Sequence, residues 1–322
     1  MRSARLLGLV ALFLGAQVVA LLLAIPFKTA GLSSTSNPSS PTAPLFIIAL
    51  IVIAPLFILW LVRRRGGFSS LRILILLAIA GALYFTLFET FSLIGPAPFY
   101  LPPASSGITF DPAILFASLV SVGLLLALLI EPQWYVVDAT GFVAAGSLIA
   151  ILGISFAILP AFILLIALLI YDAVAVYGTK HMVSLADVVT EMKLPILMVM
   201  PSSAGYDYTR APTLQEQRAQ PTEEREAMFM GLGDVVIPGT LIVSAFIWLP
   251  TSPAFLGIGG NFWAAMGALV GSLIGFAILM RFVMRGNPQA GLPLLNGGAL
   301  VGYALVYLVL FRSLTLGLTG GL

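Results

Sequence analysis

Long apolar runs, each about as long as a membrane is thick, make up most of this sequence. An α-helix of about 20 apolar residues crosses the hydrocarbon core of a bilayer. Of the 322 residues, 60% are hydrophobic and 9% are charged, and the mean hydropathy is +1.10. A soluble domain does not have enough interior to bury that much apolar surface. The sequence therefore predicts an all-α membrane protein that crosses the bilayer several times.

Nine of these runs are predicted transmembrane helices. The division between the fifth and the sixth rests on a turn near Gly153, and without that turn the count falls by one. The first run follows a basic start but contains no convincing cleavage site, so we expect it to remain as a membrane helix. The nine predicted spans are residues 6–27, 44–62, 71–91, 112–130, 136–153, 155–177, 230–249, 261–282 and 291–311.

The positions of the basic residues predict which side of the membrane each loop faces. Cytoplasmic loops carry an excess of Lys and Arg. With the N-terminus in the cytoplasm, 13 of the 15 Lys and Arg residues fall inside, and only Lys28 and Arg312 fall outside. Nine spans then place the C-terminus outside. Tryptophans favour the interfaces of a bilayer, and all four lie at predicted span ends: Trp60, Trp134, Trp248 and Trp263.

The predicted chain has three parts. Residues 1–177 form a six-helix N-terminal half, 178–229 a cytoplasmic loop, and 230–322 a three-helix C-terminal part. Within the loop, the apolar segment 194–201 is too short to span and is predicted as a strand or an interfacial segment. Residues 202–226 are polar and charged, which is typical of a disordered linker.

The composition excludes several kinds of chemistry. The chain has no cysteine, and its one histidine is His181. Disulfides, thiol nucleophiles, paired-histidine zinc sites and Ser–His catalysis are therefore excluded. The net charge of +2 gives no indication of a nucleic-acid partner. We expect neither a metal nor another cofactor, and we expect the cell membrane, with its lipids, as the location.

Two of the aspartates that lie inside apolar runs are on consecutive spans, the sixth and the seventh. Asp172 belongs to the sixth predicted span and Asp234 to the seventh. An acid within a membrane segment is energetically expensive, which favours a functional role. The two spans run antiparallel, and each acid lies a few residues from the cytoplasmic end. At about 1.5 Å per residue, both lie on the order of 6–8 Å below that boundary. The sequence therefore predicts that the two carboxyls meet.

A carboxyl pair of this kind can hydrolyse a peptide bond. Two close carboxyls share one proton, so one can act as base on water while the other polarises the scissile carbonyl. Asp234 lies near a helix N-terminus and Asp172 near a C-terminus, so the helix dipole favours Asp234 as base and Asp172 as acid. Gly231 and Gly233 leave the backbone open to the approach of a substrate strand.

Three short motifs resemble those of a known family. The stretch Tyr171-Asp172, followed by residues 173–176, and Gly231-Leu232-Gly233-Asp234 resemble the paired signatures of the presenilin and signal peptide peptidase family of GxGD intramembrane aspartyl proteases. The family's Pro-Ala-Leu motif is matched by Pro293-Leu294-Leu295, with Leu294 in place of Ala. The resemblance covers residues 170–297. Short loops without a large N-terminal tail suggest a compact microbial, archaeal-type homologue.

The resemblance implies cleavage of peptide bonds within the transmembrane segments of other proteins, with Asp172 and Asp234 as the catalytic residues. A transmembrane substrate must unwind first, because its amides are hydrogen-bonded within its helix. Residues 194–200, or those just before Gly231, are hypothesised to pair with the unwound strand, and Pro293 to free backbone at the start of span nine. The resemblance implies supporting roles for Tyr171, Gly231, Leu232, Gly233, Pro293, Leu294 and Leu295.

Several alternatives remain open at this stage. Asp138 on span five is either an interfacial helix-start residue or a third acid of the site. The two acids would also suit an ion-coupled transporter or channel, a prepilin peptidase, or an inactive scaffold. Self-association and self-cleavage in residues 202–229 are left open. Three glycines spaced by four residues predict a close helix–helix contact on span eight: Gly267, Gly271 and Gly275.

Overall fold

The computed structural model describes residues 2–62, 67–100, 109–178, 194–203, 205–210, 226–284 and 289–318. Within these ranges the chain forms nine α-helices and three two-stranded antiparallel sheets. The helices are α1 Arg2–Thr29, α2 Ala43–Val62, α3 Gly67–Ile94, α4 Pro112–Ile130, α5 Trp134–Ser155, α6 Ile158–Ala173, α7 Leu232–Trp248, α8 Gly260–Val283 and α9 Leu292–Phe311. The sheets pair β1 Phe99–Tyr100 with β2 Thr109–Phe110, β3 Leu197–Pro201 with β4 Ala227–Gly231, and β5 Ala254–Phe255 with β6 Ile258–Gly259.

Each predicted span overlaps one of these helices. Seven helices are long and apolar enough to cross a membrane, and α2 and α7 contribute shorter apolar helices, Ala43–Ala54 and Leu232–Trp248. The predicted multi-pass, mostly helical character is therefore confirmed. That all nine helices cross the bilayer, with the N-terminus inside, stays a prediction.

The turn between α5 and α6 differs from the prediction. Gly153 lies inside α5, and the helix continues to Ser155 before a break at Phe156 and Ala157. A Cβ at position 153 would collide with the side chain of Val243 on α7. The predicted turn near Gly153 is therefore present three residues further on, and Gly153 itself allows two helices to pack closely.

Helix α7 lies at the centre of the bundle. It contacts α1, α5, α6, α8 and α9, and every residue from Val235 to Ala245 is buried. A helix that is apolar on all sides lies either in a protein core or in lipid, and the burial of α7 places it in the core. Helices from both predicted halves of the chain therefore contribute to one hydrophobic core.

Helices α8 and α9 pack with almost no space between their backbones. A Cβ at Gly271 would collide with the Gly298 carbonyl, and a Cβ at Gly275 with the Leu294 carbonyl. Gly267 meets Gly302 in the same way. Small residues allow this approach of backbones in a membrane, where packing and not water drives helix association. The predicted glycine contact of span eight is confirmed, and its partner is α9.

The apolar segment 194–201 contains a strand, one of its two predicted forms. Strand β3 pairs with β4 so that Leu197 lies opposite Gly231 and Pro201 opposite Ala227. The pairing continues at one end, where the Leu232 amide donates to the Ile196 carbonyl at 2.9 Å. Strand β4 thus leads directly into α7.

The predicted disordered linker is partly ordered. Tyr206 and Tyr208 are buried, and together with Val137 on α5 and Val199 on β3 they form a second apolar cluster. The prediction of disorder is wrong for these two tyrosines, because their rings complete that cluster. Residues 211–225 of the linker, and His181, lie outside the described ranges.

The α8–α9 contact gives a testable pair of substitutions. Gly298→Ala places a methyl group against the Gly271 carbonyl, whereas Gly297→Ala meets no atom within 4 Å. Overpacking costs about 1–3 kcal/mol, so we expect Gly298→Ala to lower the thermal unfolding midpoint in detergent. Gly297→Ala is the matched control and should unfold like the parent chain. Equal midpoints for both variants would contradict this packing.

Candidate active site

Asp172 lies at the end of α6, one residue before the helix gives way to a π-helical turn, Val174–Gly178. Its side chain is 7% exposed. The Leu292 amide at the start of α9 donates to Asp172 Oδ2 at 3.0 Å, and the Gly291 amide also interacts with this carboxyl. Single π-helical turns occur often at functional sites because they reorient side chains locally.

Asp234 is the third residue of α7 and is partly buried. Its carboxyl interacts with the Gly231 amide. A Cβ built on Gly291 would lie 2.6 Å from Asp234 Oδ1 and 2.9 Å from Oδ2. The carboxyl therefore lies directly against the Gly291 backbone.

The two predicted acids thus meet at one backbone segment. Asp172 is hydrogen-bonded to Leu292, Asp234 contacts Gly291, and the two carboxyls are close enough to interact electrostatically. Three helices supply this arrangement: the end of α6, the first turn of α7 and the first turn of α9. The structure therefore brings Asp172 and Asp234 together, and the start of α9 completes the group.

Helix α9 can provide a free amide because Leu292 belongs to its first turn. The first N–H groups of a helix have no partner within the helix. Leu294 and Leu295 donate to the Gly291 carbonyl at 3.2 and 3.1 Å, while the Leu292 amide is left for Asp172. Pro293 lies where a missing N–H costs nothing. It begins the helix instead of breaking it.

Gly291 is a residue that the sequence analysis missed. Its backbone is in the ordinary right-handed helical region, with φ −78° and ψ −47°, so glycine is required here for space and not for conformation. The available signal was a glycine two residues before Pro293, but its meaning depends on where Asp234 lies in three dimensions.

Further polar contacts that the sequence analysis did not identify join α6 to the start of α9. The Asn296 amide nitrogen donates to the Leu165 carbonyl at 3.0 Å inside the bundle. After α6, the Tyr177 hydroxyl donates to Gln289 Oε1 at 2.9 Å and accepts from the Ala290 amide at 3.2 Å. These bonds lie on both sides of the Asp172–Leu292 contact and hold the two segments together.

The predicted supporting residues on α6, β4 and α7 have different surroundings. Tyr171 is partly buried and packs against the main core. Leu232 packs towards α5, with its Cδ1 3.5 Å from the Cβ position of Gly141. Gly231 contacts Asp234, whereas a Cβ on Gly233 would meet no atom within 4 Å. Gly233 therefore leaves open space beside Asp234.

The predicted supporting residues on α9 lie in its first turn, where two of them pack against α8. Leu294 and Leu295 form the close contact with Gly275 on α8, and Leu295 is fully buried. Pro293 is partly buried in the first turn. The Pro-Leu-Leu motif therefore fixes the start of α9 against α8. The Leu292 amide, just before the motif, is then directed to Asp172.

Asp138 is buried near the start of α5. It is 6% exposed, in the second turn of the helix, and its Oδ1 accepts a hydrogen bond from the Val199 amide at 2.7 Å. Helix α5 and strand β3 therefore enclose the carboxyl, and its predicted role as an interfacial helix-start residue or as a third acid of the site stays a prediction. Within the described part of the chain, no three His, Asp or Glu side chains converge on a possible metal site.

Comparisons with known proteins agree with this geometry. A family model described as signal-peptide peptidase, presenilin aspartyl protease matches residues 10–313. Two solved structures of a presenilin family intramembrane aspartate protease are each 29% identical to this chain. The structure in space group C222 has a TM-score of 0.65 over 94% of this chain and 99% of that chain, and the one in P2 has 0.62 over 94% and 97%. A search of curated protein sequences gave no match.

The contact between Gly291 and Asp234 can be tested by adding one methyl group. Gly291→Ala would place a carbon 2.6 Å from Asp234 Oδ1, so either the carboxyl or the start of α9 must move. A displacement of about 1 Å in a catalytic group can lower the rate about 100-fold. We expect a loss of this size in peptide hydrolysis per folded molecule. Gly297→Ala on the same helix is the control, and activity equal to that control would contradict the contact.

Proposed function

Because the chain belongs to the signal-peptide peptidase and presenilin family of aspartyl proteases, we propose that Asp172 and Asp234 are its catalytic pair. Family membership makes the protein a multi-pass intramembrane aspartyl protease, and the comparisons give no support to a transporter. The observation that carries the residue assignment is the meeting of both carboxyls at Gly291 and Leu292.

In the proposed mechanism the two acids share one proton and act on opposite sides of the scissile bond. The ionised carboxyl takes a proton from water, and the water oxygen attacks the carbonyl carbon. The protonated carboxyl gives its proton to the carbonyl oxygen. As the C–N bond breaks, the carboxyl that took the water proton gives it to the nitrogen, and the other carboxyl takes a proton from a hydroxyl of the tetrahedral intermediate. The pair keeps one proton throughout and ends in its starting state.

The division of roles between the two acids stays a prediction. The helix ends required by the dipole argument are present, since α6 ends at Ala173 and α7 begins at Leu232. Asp172 also accepts the Leu292 amide, a contact that the dipole argument did not include. In either assignment this amide fixes the position of the Asp172 carboxyl.

The proposed topology has nine spans, with the N-terminus in the cytoplasm and the C-terminus outside. Residues 1–177 carry six spans, 178–229 a cytoplasmic loop, and 230–322 three spans. Support comes from the basic residues, 13 of which fall on the inner side. It also comes from Lys28, whose Nζ lies 4.1 Å from the ring centroid of Trp248, at the end of α7 opposite to Asp234.

The β3–β4 sheet is the proposed binding site for an unwound substrate. In an antiparallel pair, the backbone groups of successive residues point alternately towards and away from the partner strand. The Ser202 amide donates to the Glu226 carbonyl, so the even-numbered residues of β3 face β4. The backbone N–H and C=O of Val199 therefore point away from β4. Phe229 lies directly opposite Val199, so its backbone N–H and C=O point away from β3, to the outer edge of β4.

The outer edge of β4 therefore carries the N–H and C=O of Phe229, five residues before Asp234. An extended peptide can add to such an edge through main-chain hydrogen bonds. The open space at Gly233 gives the peptide room to continue to the carboxyls. The proposed substrates are transmembrane segments of other proteins, and no cofactor takes part.

The catalytic assignment can be tested with isosteric variants. The purified full chain in liposomes would be incubated with a single-span reporter peptide. Asp172→Asn and Asp234→Asn remove the proton exchange of the pair, and we expect each to lower the cleavage rate by about 100-fold to 10,000-fold. An aspartyl transition-state analogue should block the parent chain.

The matched control is Asp111→Asn. Asp111 caps α4 by accepting from the Ala113 amide at 2.9 Å, and an asparagine side chain can form the same cap. This variant should cleave like the parent chain. An uncut reporter with the parent chain, together with acid-dependent ion flux, would exclude the protease assignment.

The substrate-pairing proposal can be tested at Phe229. Phe229→Pro removes an amide that points away from β3, a position at which an edge strand tolerates proline. We expect a loss of about tenfold in kcat/KM, in keeping with one lost hydrogen bond. Phe229→Ala is the control, because it removes the ring and keeps the amide. Equal kcat/KM values for the two variants would argue against pairing at this edge.

A further inference from the structure

Asp138 is a buried carboxyl outside the catalytic pair. It lies on α5, is 6% exposed, and accepts the Val199 amide at 2.7 Å across 61 residues of sequence. Burying a carboxyl without partners is costly, and 2.7 Å is at the short end of the range for an N–H donor and an oxygen acceptor. The partner is the backbone of β3, so Asp138 holds a strand and not another side chain.

The bond to Asp138 occupies the outer edge of β3. The Val199 amide points away from β4 and towards α5, which packs along this strand. Pro201, two residues on and on the same edge, has no N–H to donate. A peptide therefore cannot extend the sheet at β3. Within the part of the chain that the structure describes, the edge of β4 is the one left for another strand.

Helix α5 also supports the junction between the sheet and α7. Gly141, nearly one turn after Asp138, leaves room for the Pro195 carbonyl at 3.4 Å and Leu232 Cδ1 at 3.5 Å from its Cβ position. Pro195 precedes β3, and Leu232 begins α7. One face of α5 thus contacts the segment before β3, the middle of β3 and the first residue of α7.

We propose that Asp138 is a positioning residue that locks the β3–β4 sheet onto α5 and so sets the register in which a substrate strand meets the carboxyl pair. The inference rests on the proposed function. The connection runs from Asp138 to Val199, across the sheet to Phe229, and along β4 to Asp234. Each step is a hydrogen bond, a strand pairing or a short length of chain.

The register matters because it selects the bond that is cut. A strand rises about 3.3 Å per residue, so a displacement of that size would bring a neighbouring peptide bond to the carboxyls. A one-residue slip also turns every side chain to the other face of the sheet. A sheet held only at its ends would allow several registers, and the products would be cut at several positions.

The test measures both the rate and the positions of cleavage, using the full chain in liposomes with a single-span reporter and mass spectrometry of the products. Asp138→Ala leaves the Val199 amide without its acceptor. We expect a loss of about tenfold in kcat/KM and a spread of products to neighbouring bonds. Asp138→Asn keeps an acceptor oxygen and should preserve the product pattern of the parent chain. The ratio of products does not depend on how much of the protein is folded, so a merely structural defect would not change it.

Two further variants complete the design. Ser147→Ala is the matched control, since Ser147 is a buried polar residue of the same helix whose hydroxyl donates to the Val143 carbonyl within α5. It should keep the parent product pattern. Val199→Pro removes the same hydrogen bond from the strand side and should spread the products as Asp138→Ala does, which covers the case in which Asp138→Ala does not fold.

The outcomes separate this inference from the proposed function. Loss of cleavage in Asp172→Asn and Asp234→Asn tests the catalytic pair on its own. Against that background, an unchanged product pattern in both Asp138→Ala and Val199→Pro would overturn the register lock even if their rates fall. A spread of products in these two variants, absent from Asp138→Asn and Ser147→Ala, would establish it.

Discussion

Two carboxyl groups placed inside an apolar bundle need polar partners, and backbone amides at the starts of two helices provide them, Leu292 of α9 for Asp172 and Gly231 before α7 for Asp234. The Leu292 amide binds Asp172, and the absence of a side chain at Gly291 lets Asp234 approach the same segment. Amides in the first turn of a helix are free by geometry, so no additional polar side chain has to be buried. The rest of the bundle acts to keep this one turn next to both acids.

The position of that turn depends on contacts far from the acids. The glycine contact with α8 fixes α9 on one side, and the bond from Asn296 to the Leu165 carbonyl fixes it against α6 on the other. Both contacts exploit the membrane environment. Small residues allow backbones to approach closely, and a buried amide hydrogen-bonds to another helix because lipid offers no alternative. The packing of the bundle and the proposed active site are therefore linked through the start of one helix.

The sequence predicted the helices and the two acids well, because both signals are local. An apolar run of the right length is a helix in a membrane, and an aspartate inside it is conspicuous. Prediction from the sequence failed where the role of a residue depends on a neighbour that is distant in the chain. The turn near Gly153 lies at Phe156 and Ala157, whereas Gly153 itself makes room for Val243, and Gly291 makes room for Asp234. Asp138 was ambiguous for the same reason, since its partner Val199 is 61 residues away. A strand was one of the two forms predicted for residues 194–201, but its pairing with β4 was not predicted from the sequence.

The change from strand to helix at Gly231 and Leu232 joins the proposed substrate-binding edge of β4 to Asp234 of the proposed catalytic pair. Strand β4 ends at Gly231, α7 begins at Leu232, and Asp234 lies in the first turn. Because α7 is enclosed by five other helices, this first turn cannot move alone. A strand bound to β4 would therefore be held relative to a carboxyl whose position is set by the whole bundle. Strand pairing recognises the main chain and is largely independent of side chains, so this arrangement would accept many unwound segments while fixing where the chain meets the acids.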